Sequence, residues 1–229
     1  MPETAPISLS WKPARVPRPV SLRGRYATLE PMEAARHGED LWNAIHGHDE
    51  VWRWLAGVPA PNPAALMEGL ERWRETEKAV LLAIAPAESG KAAGWASYMR
   101  ITPAHGAIEV GNVLFSPALQ RTRAATEAMY LMARHVFEDL GYRRYEWKCN
   151  AENAASRRAA LRLGFTFEGI FRQHMVVKDR SRDTAWFSML DHEWPARKRA
   201  FEAWLDPANF DAAGRQRRTL AELAAASGD

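Results

Sequence analysis

Ile108-Glu109-Val110-Gly111-Asn112-Val113-Leu114-Phe115-Ser116-Pro117, followed after two residues by Gln120-Arg121-Thr122-Arg123-Ala124-Ala125-Thr126-Glu127, is the stretch that decides how this chain folds. An apolar, β-branched run that stops at Ser-Pro predicts a strand over 108–115. Beyond it Ala125, Met129, Met132, Ala133, Val136 and Leu140 recur at the helical period, and Gly141 supplies a C-terminal cap. A strand that enters a helix through a short turn aims free backbone N–H groups, and the positive end of the helix dipole, at whatever lies beyond the strand. A phosphate suits that position. Ala124 and Ala125 leave room for it, and Arg121 and Arg123 add positive charge. The same residues also read as an ordinary strand-to-helix junction with two solvated arginines.

Outward from this junction the pattern is mixed. Residues 1–23, rich in proline and basic residues, read as an extended arm, because Pro13, Pro17 and Pro19 are too closely spaced for helix or central strand. Gly24 to Pro31 reads as a first strand and Met32 to Ile45 as a helix. After the Pro59–Pro63 turn, Asn62 caps a second helix with Pro63 at its first position. Ala79–Ala85 and Ala93–Ile101 read as a strand pair. Downstream follow a strand over 145–149, a helix over 153–163 stopped by Gly164, and strands over 165–170, 173–177 and 184–190. The tail from Glu193 has a helical pattern. The fold class expected is α/β (α+β), with a mixed, mostly antiparallel central sheet in a domain over 24–191 and a helical extension over 192–229.

Composition narrows the function. The 229 residues are 47% hydrophobic and 26% charged, with one cysteine, which excludes global disorder and an intrachain disulfide framework. The start, Met1–Pro6, lacks the basic-then-apolar order of a secretory leader, and the longest apolar run, Ala79–Ala85, is too short to span a bilayer. A net charge of +3 is too small to argue for a polyanion. The expectation is a cytoplasmic protein with no membrane and no nucleic-acid partner. Arg215, Arg217 and Arg218 read as a solvated helix face, and a nucleic-acid role for them would show as steeply salt-dependent binding. The seven histidines have no metal-ligand spacing, so no metal is expected.

Three motifs together resemble the GNAT acetyltransferase superfamily. Gln120-Arg121-Thr122-Arg123-Ala124-Ala125 is similar to its Q/R-x-x-G-x-G/A acetyl-CoA signature, and Thr126-Glu127-Ala128 looks like the helix start of the RimJ/RimL-like branch, which acetylates protein N-termini. Asn153-Ala154-Ala155-Ser156 resembles that branch's N-x-x-S element. Leu161-Arg162-Leu163-Gly164-Phe165-Thr166-Phe167-Glu168-Gly169 is similar to its L-x-x-L-G-F-x-x-E-G ending. The resemblance implies the GNAT fold, acetyl-CoA as co-substrate, and direct attack by an amine in a ternary complex. The implied acceptor is a protein or peptide N-terminus first, and a small-molecule amine next. It also implies co-substrate contacts at Leu114, Phe115, Gln120, Arg121, Arg123, Ala124, Ala125, Thr126 and Asn153. A homodimer is open, since members often pair.

Arg123 stands where the signature has glycine. Either its side chain turns away or lies along the phosphates, or the site is weakened and the chain is a GNAT-shaped binding protein without turnover. Acyl transfer to an amine needs a base, a donor for the developing oxyanion and an acid for the thiolate. Glu109 is the candidate base, acting through water, against the reading of a surface carboxylate on an edge strand. Glu146 is its competitor. Ser156, at the position that the family resemblance places near the CoA sulfur, is by that resemblance the candidate acid, against a second capping hydroxyl, and Asn153 also reads as a helix N-cap. Cys149, among apolar neighbours, reads as structural. Trp95, Trp147 and Trp186 read as core, and Trp42, Trp52, Trp54 and Trp73 as the wall of an acceptor pocket or a dimer surface.

Overall fold

The continuous apolar run after residue 79 makes sense once both of its sides are seen. In β3 (Val80–Pro86), Leu82 and Ile84 enter one core while Leu81 and Ala83 enter a second on the opposite face. A strand buried on both faces has no reason to alternate. The computed structural model describes residues 10–226, so the reading of Met1–Pro6 and the first part of the arm lie outside the described residues.

Eight strands form one sheet in the order β1-β2-β3-β4-β5-β6-β8-β7. The others are β1 (Leu22–Arg23), β2 (Ala27–Pro31), β4 (Gly94–Thr102), β5 (Ala107–Phe115), β6 (Arg144–Asn150), β7 (Thr166–Val177) and β8 (Arg180–Leu190). β5 and β6 run parallel, and the other neighbouring pairs are antiparallel. The crossover between β5 and β6 is α3 (Arg123–Arg134), continued by a wider helical turn over His135–Asp139. Parallel neighbours need such a crossover, which is why the strongest helix stands there.

Helices cover both faces. α1 (Ala34–Ile45) and α2 (Pro63–Glu77) close the second core through Leu41, Ile45, Leu66 and Leu70 against Leu81, Trp95 and Leu114. The Asn62 side chain caps α2 by accepting from the Ala65 N–H at 2.8 Å. On the other face α3, α4 (Ala154–Arg162), α5 (Trp194–Leu205) and α6 (Leu220–Ala226) close the larger core. The stripe read from the sequence on α3 is buried, and so is nearly all the rest of that helix, because α5 covers its outer side. Tyr130 stacks on Trp194 and donates to Glu202 at 2.9 Å. Burial and the Glu202 carboxylate push that phenol up to about 12.

Several expectations need correction. The strand expected from Gly24 begins at Ala27 as β2, since Gly24–Tyr26 is the turn of a small hairpin whose other arm, β1, falls within the expected extended arm. A Cβ on Gly24 would run into the Glu127 carboxylate, which accepts from the backbone N–H groups of Arg25, Tyr26 and Ala27. The two strands read over 165–170 and 173–177 are one strand, β7, kinked where its register to β8 shifts. Arg215–Arg218 sit in a loop between Phe210 and α6, not on a helix face. Trp52 is buried in the second core at 5.8 Å from Trp95, and the cavity beside Trp42 and Trp52 is about 20 Å³, too small for an acceptor.

Candidate active site

The register between β5 and β6 holds only from Ala107↔Arg144 to Val110↔Trp147. Beyond it Gly111–Phe115 and Lys148–Asn150 have no partners in each other, so the two strands open a cleft. The cause is local. Between Ser97↔Gly111 and Trp95↔Leu114 the ladder to β4 skips a residue, and Asn112 takes the left-handed conformation at φ 48°. That bulge turns β5 away from β6. Unpaired strand edges present N–H and C=O groups that need partners.

At the end of β5 the chain enters the turn singled out in the sequence. Gln120 Nε2 donates to the Phe115 carbonyl at 3.0 Å and ties the turn to the strand end. Arg121 holds the left-handed position at φ 62° and is exposed. Thr122, which the sequence reading passed over, caps α3: its Oγ1 accepts from the Ala125 N–H at 3.1 Å and donates to the Leu119 carbonyl at 2.7 Å. No described residue accepts from the backbone N–H groups of Arg123 and Ala124. Two free donors at a helix N-terminus therefore face the mouth of the cleft. Ala124, Ala125 and Thr126 are buried, and the Thr126 hydroxyl is engaged inward by Arg162 at 3.2 Å and by the Thr122 carbonyl at 3.3 Å. The Leu114 side chain faces the second core, which leaves its backbone for the cleft. Arg123 has ordinary helical backbone, and its guanidinium lies against the Tyr26 and Phe210 rings.

On the β6 side, Asn153 caps α4 by accepting from the Ser156 N–H at 3.0 Å. The Ser156 hydroxyl accepts from Trp147 Nε1 at 2.9 Å. Cys149 is buried, and that burial pushes its thiol above the ordinary range.

Glu109 and Glu146 are register partners on β5 and β6, and their side chains share the sheet face opposite α3. Glu109 is buried in the middle of the sheet, so the edge-strand surface reading is corrected. Arg100 Nη1 and Lys148 Nζ both donate to its Oε2 at 2.9 Å. Lys148 also reaches Glu146 Oε2 at 2.8 Å and sits 3.7 Å above the Trp186 ring. Trp186 is thus a platform on this face rather than core. From Glu146 the chain of charges continues to Arg144 at 2.7 Å, then to Glu168, which also accepts from the Ser188 hydroxyl at 2.6 Å. Burial works to raise the Glu146 carboxyl, but hydrogen bonds from Arg144 and Lys148 outweigh it and hold the carboxyl below the usual range. The hydrogen bonds from Arg144 hold Glu168 down in the same way.

The ladder borders an open cavity of about 470 Å³ lined by Arg100, Thr102, Ala107, Glu146, Lys148 and Trp186. His174 stands over the same face, bonded to the Thr184 hydroxyl at 2.9 Å beside Phe171 and Trp186. The β7–β8 turn closes against the α1–α2 connection through Lys178, which donates to the Trp52 carbonyl at 3.0 Å. Among the described residues no group of His, Cys, Asp or Glu could hold a metal ion, and no helix is long and apolar enough to cross a membrane.

A splayed parallel pair leading into a capped helix with free N–H donors is matched at the sequence level. Residues 27–166 match the acetyltransferase (GNAT) domain model. The chain belongs to the GNAT acetyltransferase family. As a GNAT member it is an acyltransferase, and the family uses acetyl-CoA. Among solved structures, a GCN5-related N-acetyltransferase from Brucella melitensis is 48% identical, covering 94% of this chain and 99% of its own at a TM-score of 0.91. A GNAT-family protein from Chromobacterium violaceum ATCC 12472 is 42% identical over 85% of this chain and 98% of its own, with a TM-score of 0.78. The ribosomal-protein-S5-alanine acetyltransferase from Vibrio fischeri shares the fold at 18% identity, a TM-score of 0.62, and coverage of 76% and 98%. No curated protein matches the chain.

Proposed function

We propose that this GNAT protein moves the acetyl group of acetyl-CoA to a primary amine by direct attack in a ternary complex. The observation that carries the reading is the pair of free N–H groups, Arg123 and Ala124, at the end of a cleft whose two walls are unpaired strand edges. The helix end suits a pyrophosphate, and the strand edges suit the amides of an extended arm, which bonds to them as a further strand would. This order directs the thioester toward the last paired residues, Val110 and Trp147, with Glu109 and the 470 Å³ cavity beyond them.

In this reading the acceptor amine enters from the cavity and Glu109 takes its proton through water. The nitrogen then bonds to the acetyl carbon as the carbon–sulfur bond breaks. Ser156, at the first turn of α4, passes a proton to the departing sulfur and takes in its place the second proton that the attacking nitrogen sheds, and a backbone N–H of the opened β5 edge meets the charge on the acyl oxygen. Cys149 has no role in the transfer, because its thiol is buried and raised. Within the family we place the chain in the RimJ/RimL-like branch, with a protein or peptide N-terminus as first acceptor and a small-molecule amine next. The Thr126-Glu127-Ala128 and Asn153–Ser156 elements support this, as does the shared fold with the Vibrio fischeri enzyme. The single buried cysteine suits a reducing cytoplasm.

The test is thiol release from acetyl-CoA over a panel of peptides with free N-termini and small amines, with products weighed for one added acetyl group. Release coupled to peptide acetylation is expected. Acetyl-CoA binding without release across the whole panel would make the chain a binding protein and contradict the proposal.

A further inference from the structure

Arg123 is the residue of the turn that co-substrate binding through backbone donors leaves unexplained. Its guanidinium carbon lies 4.9 Å from the Tyr26 ring centroid and 4.8 Å from that of Phe210. A cation held against two rings gains cation–π attraction from each and keeps its N–H groups for other bonds. No described carboxylate pairs with it, and no described acceptor takes its side-chain N–H groups.

The rings that hold it come from outside the stretch that matches the family, residues 27–166: Tyr26 just precedes it and Phe210 follows it. Both are anchored. The Tyr26 N–H is bonded to the buried Glu127 carboxylate, one turn along α3 from Arg123, and its hydroxyl donates to the Leu205 carbonyl at 3.1 Å. Phe210 packs edge-on against Trp204 at 5.2 Å, and its N–H donates to the Pro207 carbonyl at 3.0 Å. Three separate pieces of chain thus set the direction of one unpaired guanidinium.

We propose that Arg123, held against Tyr26 and Phe210, binds the 3′-phosphate of the co-substrate and makes this chain discriminate CoA from dephospho-CoA. The inference rests on the acetyl-CoA reading of the turn. The backbone donors of Arg123 and Ala124 occupy the helix end and serve the pyrophosphate. The side chain is directed elsewhere, to the Tyr26–Phe210 clamp, so it meets a different phosphate of the same ligand. A terminal phosphate monoester, with close to two negative charges at neutral pH, is the group a fixed guanidinium edge suits best. Tyr26 and Phe210 are positioning residues that act through Arg123, so the segment after α5 is part of the co-substrate site.

Calorimetric titration of the full chain with CoA and with dephospho-CoA tests this. The wild type is expected to bind CoA about tenfold more tightly, the worth of one charge-assisted contact. Arg123→Gln should bring the ratio to about one by weakening CoA alone. Phe210→Leu, which keeps apolar bulk and removes one ring face, should give an intermediate ratio. A ratio unchanged in Arg123→Gln overturns the proposal, whatever happens to the melting temperature, and leaves Arg123 a staple of the fold. Equal weakening of both ligands overturns it too, by moving Arg123 to the pyrophosphate. If the wild type binds neither ligand, the acetyl-CoA reading itself has failed. If it binds both equally, only the 3′-phosphate assignment has.

Discussion

The first turn of α3 and the ionic ladder from Arg100 to Glu168 both border the β5–β6 cleft, and they are built in opposite ways. The turn is made of consecutive residues and ends in backbone donors and a guanidinium that no described group pairs. The ladder is made of side chains from β4, β5, β6 and β7, and each of its charges has a partner within 2.9 Å. Unpaired polarity at the end of a cleft is a place for a ligand, whereas paired charge inside a sheet mainly holds the strands in position. Glu109 is where the two kinds of site meet. It belongs to the ladder, yet it stands one residue before Val110↔Trp147, the last pair before β5 and β6 part.

The largest effect should come from breaking the ladder at its centre. Lys148→Met leaves the buried Glu109 and the half-buried Glu146 facing each other without their shared cation, with one arginine each, at a cost of about 3 kcal/mol. Urea unfolding measures it, and a loss under 1 kcal/mol would mean that the ladder is not a structural unit. Next is Glu109→Gln, expected to lower kcat about a hundredfold while the acetyl-CoA Kd stays unchanged, since binding belongs to the turn. An unchanged kcat would return Glu109 wholly to the scaffold.

On the other side of the comparison, Thr122→Ala removes the cap of α3 and should cost about 1 kcal/mol in thermal or urea unfolding. It should also weaken acetyl-CoA, because the free N–H groups are aimed by that cap. Unaltered affinity would separate the cap from the site.

The smallest expected effect is on pH. The folded carboxyls of Glu146 and Glu168 are held below their unfolded values. Their stabilisation is therefore complete above the unfolded value of about 4.3 and is lost as pH falls through the folded ones. The melting temperature should hold from pH 7 to 5 and then fall by about 2–4 °C more than in Arg144→Met, which has already lost both pairs. The same fall in that variant would detach the acid limb from the ladder.

The two regions also differ in how far they could be read beforehand. The turn was legible because Gln120, Arg123 and Ala125 are local in sequence and the amphipathic helix after them is strong. Its cap at Thr122 was missed although a threonine three residues before Ala125 was a usable signal. The ladder was not legible. Arg144-Tyr145-Glu146-Trp147-Lys148 alternates polar and apolar as any half-exposed strand does. Only the order β5-β6-β8-β7, which departs from chain order, brings Glu109, Lys148 and Trp186 together. For the same reason Trp186 read as core, and the rings that clamp Arg123 could not be connected to it across eighty-seven and ninety-seven residues.

The most direct measurement is an acetyl-CoA titration of the ¹⁵N-labelled full chain, followed by the backbone amide resonances. The Arg123 and Ala124 amides should move furthest and saturate together, with those of Gly111–Phe115 next and Arg144–Glu146 nearly still. Saturable shifts at the ladder with none at Arg123 and Ala124 would contradict the account.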